Sequence, residues 1–230
     1  MPKKPAELPK GSRVTDYISL GVLAKTFPRE QIDRILEETK KKSVRQRDLP
    51  AHVVGYYVIA LGLYMQASCK EVLRCLREGL TWLFGSEGAG RTTGKSGISQ
   101  ARKRLGVEPL KRLYNEKVVP IATERTKGAK YRKWKLVSLD GSTLDLADTE
   151  ANVKEFGRPK ASRGESAFPQ LRFVSLVENG THVLFGAVPG RFKDSEIVLA
   201  KNVTPRLTKG MLCIADRLFF GYDMWKAVKK

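Results

Sequence analysis

The spacing of apolar residues changes character close to residue 130, and this change dictates a chain built in two different ways. Up to about Thr126 the apolar positions recur at the three- and four-residue intervals of helices that bury one face. Pro28 stands where a first helical turn tolerates it, ahead of Ile32, Ile35 and Leu36. Pro50 opens a second helix through Met65, and Ser68 with Glu71 forms a capping box continued by Val72, Leu73, Leu76 and Leu80. Ser96 reads as the N-cap of a short helix stopped by Gly106, and Pro109 starts another through about Ala122. From Lys133 onward, strands alternate with helices. Residues 135–139 form a short apolar strand, and Leu171 to Val177 and Val183 to Val188 form two more around a Glu178-Asn179-Gly180 turn. An amphipathic helix from Ser195 to Leu207, a buried strand from Met211 to Ala215 and a helix from Tyr222 complete the order. The expected organisation is an all-α domain over residues 1–130 and an α/β domain over 131–230, linked through the basic segment 125–135.

Charge follows the same division. The chain carries +19 overall, with a sequence pI near 10.0. Residues 1–133 hold 28 Lys and Arg against 13 Asp and Glu, whereas residues 134–230 hold 15 against 11. A surplus of this size makes a polyanion the leading partner, because each Lys or Arg laid on a phosphate releases condensed counterions. The helix containing Ser99, Gln100, Arg102, Lys103 and Arg104 follows a Gly-rich loop and is the segment placed against DNA. Arg and Gln can read guanine and adenine edges there, while Lys neutralises phosphate. The plainer reading of the same residues is a solvated basic face on a bundle helix. An RNA-binding role is disfavoured, since aromatic residues are not clustered with the cations as single-strand stacking requires.

Several classes of chemistry are excluded or weakened. Cys69, Cys75 and Cys213 give neither a disulfide framework nor a zinc spacing, and His52 and His182 leave little for a His-based metal site or triad. The N-terminus has no apolar core of a secretory signal, and the apolar run from Val53 to Met65 is too short to cross a bilayer. A protein of a reducing cytosol with no membrane partner is the expectation. Ala89 to Ser96 nearly matches a Walker A loop, but the segment before it reads as a helix end. That loop needs a preceding strand to aim its amides at phosphates, so no nucleotide cofactor is expected.

Asp140 and Asp216 both fall at or just beyond the ends of apolar strands. Two carboxylates at neighbouring strand ends can share hard divalent cations, Mg²⁺ or Mn²⁺, and a metal pair can activate water or a 3′-hydroxyl in phosphodiester transfer. Spacing alone equally allows two loop aspartates, one in an Asp-Gly turn and one capping the last helix. Asp145 and Asp148 read as polar loop positions.

The segment from Asp140 to Thr149, followed by Ala151-Asn152 and Phe156-Gly157-Arg158, resembles the start of the catalytic domain of bacterial DDE-type insertion-sequence transposases, specifically the insertion-element-four family. Ala167 to Arg172, Gly180-Thr181-His182 and Leu212 to Arg217 do so as well. Pro28-Arg29-Glu30, Leu49-Pro50-Ala51 and Ser99 to Leu105 are similar to that family's N-terminal domain. The resemblance implies an all-α N-terminal DNA-binding domain followed by an RNase H-like α/β catalytic domain, and Mg²⁺ or Mn²⁺ held by Asp140 and Asp216. It also implies binding, cutting and rejoining of double-stranded DNA at terminal inverted repeats and target DNA, a cytoplasmic, nucleoid-associated place in a bacterial cell, and a homodimer among the expected assemblies. Two departures stand out. Leu218 occupies a position where the family has Gly, and the helix that carries the family's third carboxylate has no counterpart before Lys230. The expectation is therefore an incomplete RNase H-like domain, truncated and inactive alone. The alternative is a non-enzymatic DNA-binding protein with a relic nuclease-like domain.

Overall fold

The computed structural model describes residues 20–45, 48–64, 67–88, 90–91, 93–161, 164–165 and 168–229. Met65, Ala89, Thr92, Ala167 and the charged N-terminal segment lie outside the described residues. Contacts divide the chain between Lys117 and Val118, ahead of the break expected at residue 130.

The first unit is helical: α1 (Leu20–Thr26), α2 (Arg29–Glu38), α3 (Ala51–Leu63), α4 (Cys69–Gly88), α5 (Lys95–Leu105) and α6 (Glu108–Lys117). Pro28 and Pro50 take extended conformations immediately before α2 and α3, which fixes where both helices begin. Helix α3 is poor in strong helix formers and buries Val53, Val54, Tyr56, Tyr57 and Ala60 almost completely. Its stability therefore comes from packing rather than propensity. Around it lie Ile32, Ile35 and Leu36 of α2, Leu73, Leu76 and Leu80 of α4, and Ile98, Ala101 and Leu105 of α5. Ser68 Oγ accepts from Glu71 N–H at 3.2 Å, the first half of the expected capping box. Helix α4 breaks at Gly85, whose φ of 78° only glycine adopts freely. Helix α5 begins at Lys95 with Gly94 as its N-cap, so Ser96 is a first-turn residue and not the cap. Helix α6 ends at Lys117 and does not reach Ala122, since Val119 precedes Pro120 and is driven toward extended backbone.

The second unit contains β1 (Lys130–Tyr131), β2 (Trp134–Asp145), α7 (Glu150–Phe156), β3 (Lys160–Ala161), β4 (Gly164–Glu165), β5 (Gln170–Glu178) and β6 (Leu184–Arg191). It continues with α8 (Glu196–Val203), β7 (Met211–Ala215) and α9 (Tyr222–Lys229). Strand β2 pairs antiparallel with β5 from Val137–Glu178 to Asp145–Gln170, and β5 pairs antiparallel with β6. Strand β7 returns through α8 and pairs parallel with β2. The core lies on one face of this sheet, where Val137, Leu139, Val174, Leu176 and Phe185 meet Leu199, Ala200 and Val203 of α8. The helix expected through Leu207 ends at Val203 and tightens into a 3₁₀ turn over Thr204–Arg206, because Pro205 has no N–H to continue it.

Glu178 explains why residues 118–129 belong to the second unit. Its side chain is 1% exposed, and Oε2 accepts from the backbone N–H groups of Ile121 and Ala122, each at 2.9 Å, and from Thr181 Oγ1 at 2.5 Å. The residues just ahead of the basic segment 125–135, which was expected as a linker, are thus pinned to the end of β5.

Glu178→Ala leaves two backbone donors without their carboxylate, and should lower the unfolding free energy by about 3 kcal/mol, measured in urea. A loss well under 1 kcal/mol would count against the clamp. A second expectation concerns alkaline pH. Tyr56 donates to the Phe27 carbonyl at 2.6 Å and Tyr57 to the Cys69 carbonyl at 3.0 Å. Burial pushes both phenols up from 10.0 to about 12. Their stabilisation is complete below the ordinary tyrosine value and is lost as pH rises through the folded one. The urea midpoint should fall between pH 10 and 12, with a shallower fall in Tyr57→Phe; an identical slope in the variant would contradict this.

Candidate functional site

Asp140 lies inside β2 and not at the end of a short strand, because the ladder with β5 continues to Asp145. The Asp-Gly pair is therefore extended strand rather than turn. Alternation along β2 sends Val137 and Leu139 into the core, and Ser138 and Asp140 to the opposite face. The parallel register runs Leu136–Leu212, Val137–Cys213, Ser138–Ile214 and Leu139–Ala215. One further step brings Asp140 abreast of Asp216, whose backbone is still extended at φ −64° and ψ 158°. Neighbouring strands lie ~4.8 Å apart, so both carboxylates occupy one face at adjoining positions. Strand β7 is less buried than expected: Leu212 is 39% exposed and Ile214 51%. They point to the same open face as the two aspartates.

Each carboxylate is oriented by backbone. Asp140 Oδ1 accepts from Gly141 N–H at 2.8 Å, and Asp216 Oδ1 accepts from Arg217 N–H at the start of a 3₁₀ turn over Arg217–Phe219. Asp216 thus also has the capping role that the plainer reading allowed. Asp145 accepts from Gln170 at 2.7 Å, and Asp148 pairs with Arg158 at 2.5 Å, so both serve local structure. Thr149 caps α7, a helix that the sequence reading missed; its Oγ1 accepts from Asn152 N–H at 3.3 Å.

Sequence reasoning also missed Glu196. A Cβ on Gly141 would meet the Glu196 carboxyl carbon at 3.0 Å, and the same carboxylate lies 3.6 Å from Arg172 Nε. Glu196 sits at the start of α8, on the core side of β2, opposite Asp140. No group of three or more His, Cys, Asp or Glu side chains is close enough to hold a metal among the described residues. The signal for Glu196 was the glycine itself, which reads from sequence as a turn.

In the first unit, Ser99, Gln100, Arg102, Lys103 and Arg104 are all exposed on α5, while Ile98, Ala101 and Leu105 anchor its other side. The cations occupy the last turn, where the helix dipole also favours them. Lys41 Nζ donates to the Arg104 carbonyl at 3.2 Å, tying the basic loop after α2 to α5. Beside that loop lies an open concavity of about 740 Å³ lined by Arg29, Lys42, Arg45, Arg77 and Arg91 together with Asp33 and Asp48. The residues before the near-Walker segment are helical, and no helix among those described is long and apolar enough to cross a membrane.

Residues 17–115 match the family model for the insertion element 4 transposase N-terminal region. The chain is 25% identical over 207 residues to InsZ of Escherichia coli (strain K12), whose name marks it provisionally as a transposase, covering 90% of this chain and 66% of that protein. It is 24% identical over 198 residues to transposase InsG for insertion sequence element IS4 of the same organism, covering 86% of this chain and 43% of InsG. The N-terminal part of the chain is thus similar to insertion element 4 transposases, and the likeness to the two relatives runs on into the second unit. It spans about two thirds of one of these relatives and under half of the other. No solved structure matches it.

Two like charges on adjoining strand positions repel, and removing one relieves that repulsion. Asp216→Asn keeps the acceptor that caps the following turn, so in metal-free buffer it should be at least as stable as the parent. Asp216→Ala loses the cap and should cost about 1 kcal/mol. Thermal unfolding of both variants checks this, and a clear loss in Asp216→Asn would mean that the charge itself is structural.

Proposed function

We propose that this chain is an insertion-element-four transposase, gripping duplex DNA at terminal repeats with its helical unit and directing phosphodiester cleavage and strand transfer from Asp140 and Asp216. The observation that carries this reading is the parallel β2–β7 register, which sets the two aspartates side by side on an open sheet face. Strand order supports an RNase H-like α/β unit: three antiparallel strands, then a helical crossover to a fourth lying parallel to the first.

Two carboxylates presented together form a hard oxygen donor set, which fits Mg²⁺ or Mn²⁺ with water filling the remaining positions. A divalent ion there would supply Lewis acidity toward a phosphodiester and lower the pKa of an attacking hydroxyl. The residues of the chain set the geometry. Gly141 N–H and Arg217 N–H each hold one oxygen of their aspartate, leaving the other oxygen of each carboxylate to face outward. Exposure of this face gives a DNA strand access to them.

The grip is supported by the charge of residues 1–133 and by the exposed side chains of Ser99, Gln100, Arg102, Lys103 and Arg104. Protein–DNA affinity of this kind falls steeply with salt, and each lost phosphate contact lowers the slope by about 1. Arg102→Ala with Arg104→Ala should therefore weaken duplex binding and reduce the salt slope by roughly 2. Mn²⁺ should bind weakly to the parent, and either Asp140→Asn or Asp216→Asn should remove that binding. Unchanged Mn²⁺ binding in both aspartate variants would favour a DNA-binding protein with a relic nuclease-like unit.

A further inference from the structure

The sequence reading found no clustering of aromatics with cations, and the structure corrects it at one place. Residues 130–135, Lys-Tyr-Arg-Lys-Trp-Lys, form the β1–β2 hairpin, with Tyr131 directly opposite Trp134. Both rings are open to solvent, Tyr131 at 53% and Trp134 at 39% exposure. The Arg132 guanidinium stands 5.5 Å from the Tyr131 ring centre, and the Lys133 ammonium 5.2 Å from that of Trp134. The two-residue turn puts Arg132 at a φ of 54°, a conformation that favours glycine, so a cation occupies a position where backbone comfort calls for another residue. Lys130 faces Lys135 across the same pair of strands, a like-charge repulsion on the side of the hairpin away from the rings. Glu124 pairs with Lys130 and offsets part of it.

Position along β2 links this hairpin to the aspartates. Trp134, Leu136, Ser138 and Asp140 alternate onto one face of the strand, and Tyr131 shares that face as the partner of Trp134. Six residue steps along the strand take Trp134 to Asp140, about 20 Å. The half-exposed Leu212 and Ile214 of β7 lie between them on the same face. The face thus offers stacking rings with cations at one end, an apolar floor, and two carboxylates at the other.

We infer that this face is a track for an unpaired DNA strand, whose bases stack on Tyr131 and Trp134 while Arg132 and Lys133 of the turn hold its phosphates. The inference rests on the DNA-handling role proposed above and adds the form of DNA that the second unit takes. Every base has a flat apolar face, so stacking on aromatics tolerates any sequence, whereas a paired base keeps that face within the duplex stack. A duplex would use the cations of the hairpin but not its rings.

Fluorescence anisotropy on the full chain, with a 20-nucleotide oligo-dT and a blunt 20-base-pair duplex, tests the inference. Trp134→Leu keeps an apolar cross-strand contact with Tyr131 but removes the stacking ring, and Trp134→Phe restores a ring. Oligo-dT affinity should fall about 10-fold in Trp134→Leu and largely recover in Trp134→Phe, with duplex affinity unchanged. Trp225 on α9 is a matched control, 57% exposed with Lys229 4.6 Å from its ring centre, and Trp225→Leu should leave both affinities alone. Equal loss on both DNA forms, equal loss in Trp225→Leu, no recovery in Trp134→Phe, or tighter binding of an oligo-rU of the same length would each overturn the track. If the parent chain binds duplex and Trp134→Leu retains full oligo-dT affinity, the track alone fails. A parent that binds neither DNA removes the DNA-handling role as well.

Discussion

The second unit depends on a single strand. Strand β2 is hydrogen-bonded to β1, β5 and β7, and most features of that half follow from its length and from the direction of its neighbours. The antiparallel ladder with β5 keeps the Asp-Gly pair extended. The parallel ladder with β7 brings Asp216 from a distant point of the chain to the side of Asp140. Had β7 paired one residue out of step, Asp216 would have faced α8 and the buried core, since strand side chains alternate with a period of two. The hydrophobic partners Val137 with Cys213, and Leu139 with its neighbours on α8, fix the register, so packing on one face determines the chemistry available on the other.

The first unit distributes its residues differently. Helix α3 contributes almost nothing but packing, and surrounds itself with helices whose outer faces carry the charge. The cations of α5 are held by three anchors on its inner side, Ile98, Ala101 and Leu105. The Lys41 bond to the Arg104 carbonyl joins the loop after α2 to the same surface. A concave basic border beside that loop extends the surface beyond the one helix that the sequence picked out.

Legibility in the sequence followed the range of the interactions involved. Pro28, Pro50 and Gly106 act through their own backbone and mark α2, α3 and the end of α5 correctly. The face of each helix was readable because 3.6-residue periodicity is local. Errors appeared where a distant partner decides. Pro120 was a local stop signal that the helix expected through Ala122 overran, but that the chain beyond it belongs with the sheet was decided by Glu178, more than fifty residues on, which holds the N–H groups of Ile121 and Ala122. Gly141 looked like a turn because its real reason, the Glu196 carboxylate, lies across a helix connection. Asp140 and Asp216 were recognisable as a pair, but their adjacency depends on a strand register that no local pattern encodes. Tyr131 and Trp134 interleave with cations in the sequence itself, but that their rings share one face depends on a hairpin whose arginine at positive φ gives no turn signal.

The extended state of Asp140-Gly141 bears on how the protein ages. Aspartate before glycine is the dipeptide in which the backbone nitrogen most readily attacks the side-chain carboxyl, closing a succinimide that reopens as isoaspartate and moves the carboxylate by one carbon. Ring closure requires the Gly141 nitrogen to swing onto the Asp140 carboxyl carbon. In β2 that rotation would break the pairing of Asp140 with Ser175 and of Gly141 with Val174. The same ladder that presents the carboxylate therefore also protects it from slow chemical rearrangement, and chains caught with β2 unpaired are the ones that would accumulate the damage.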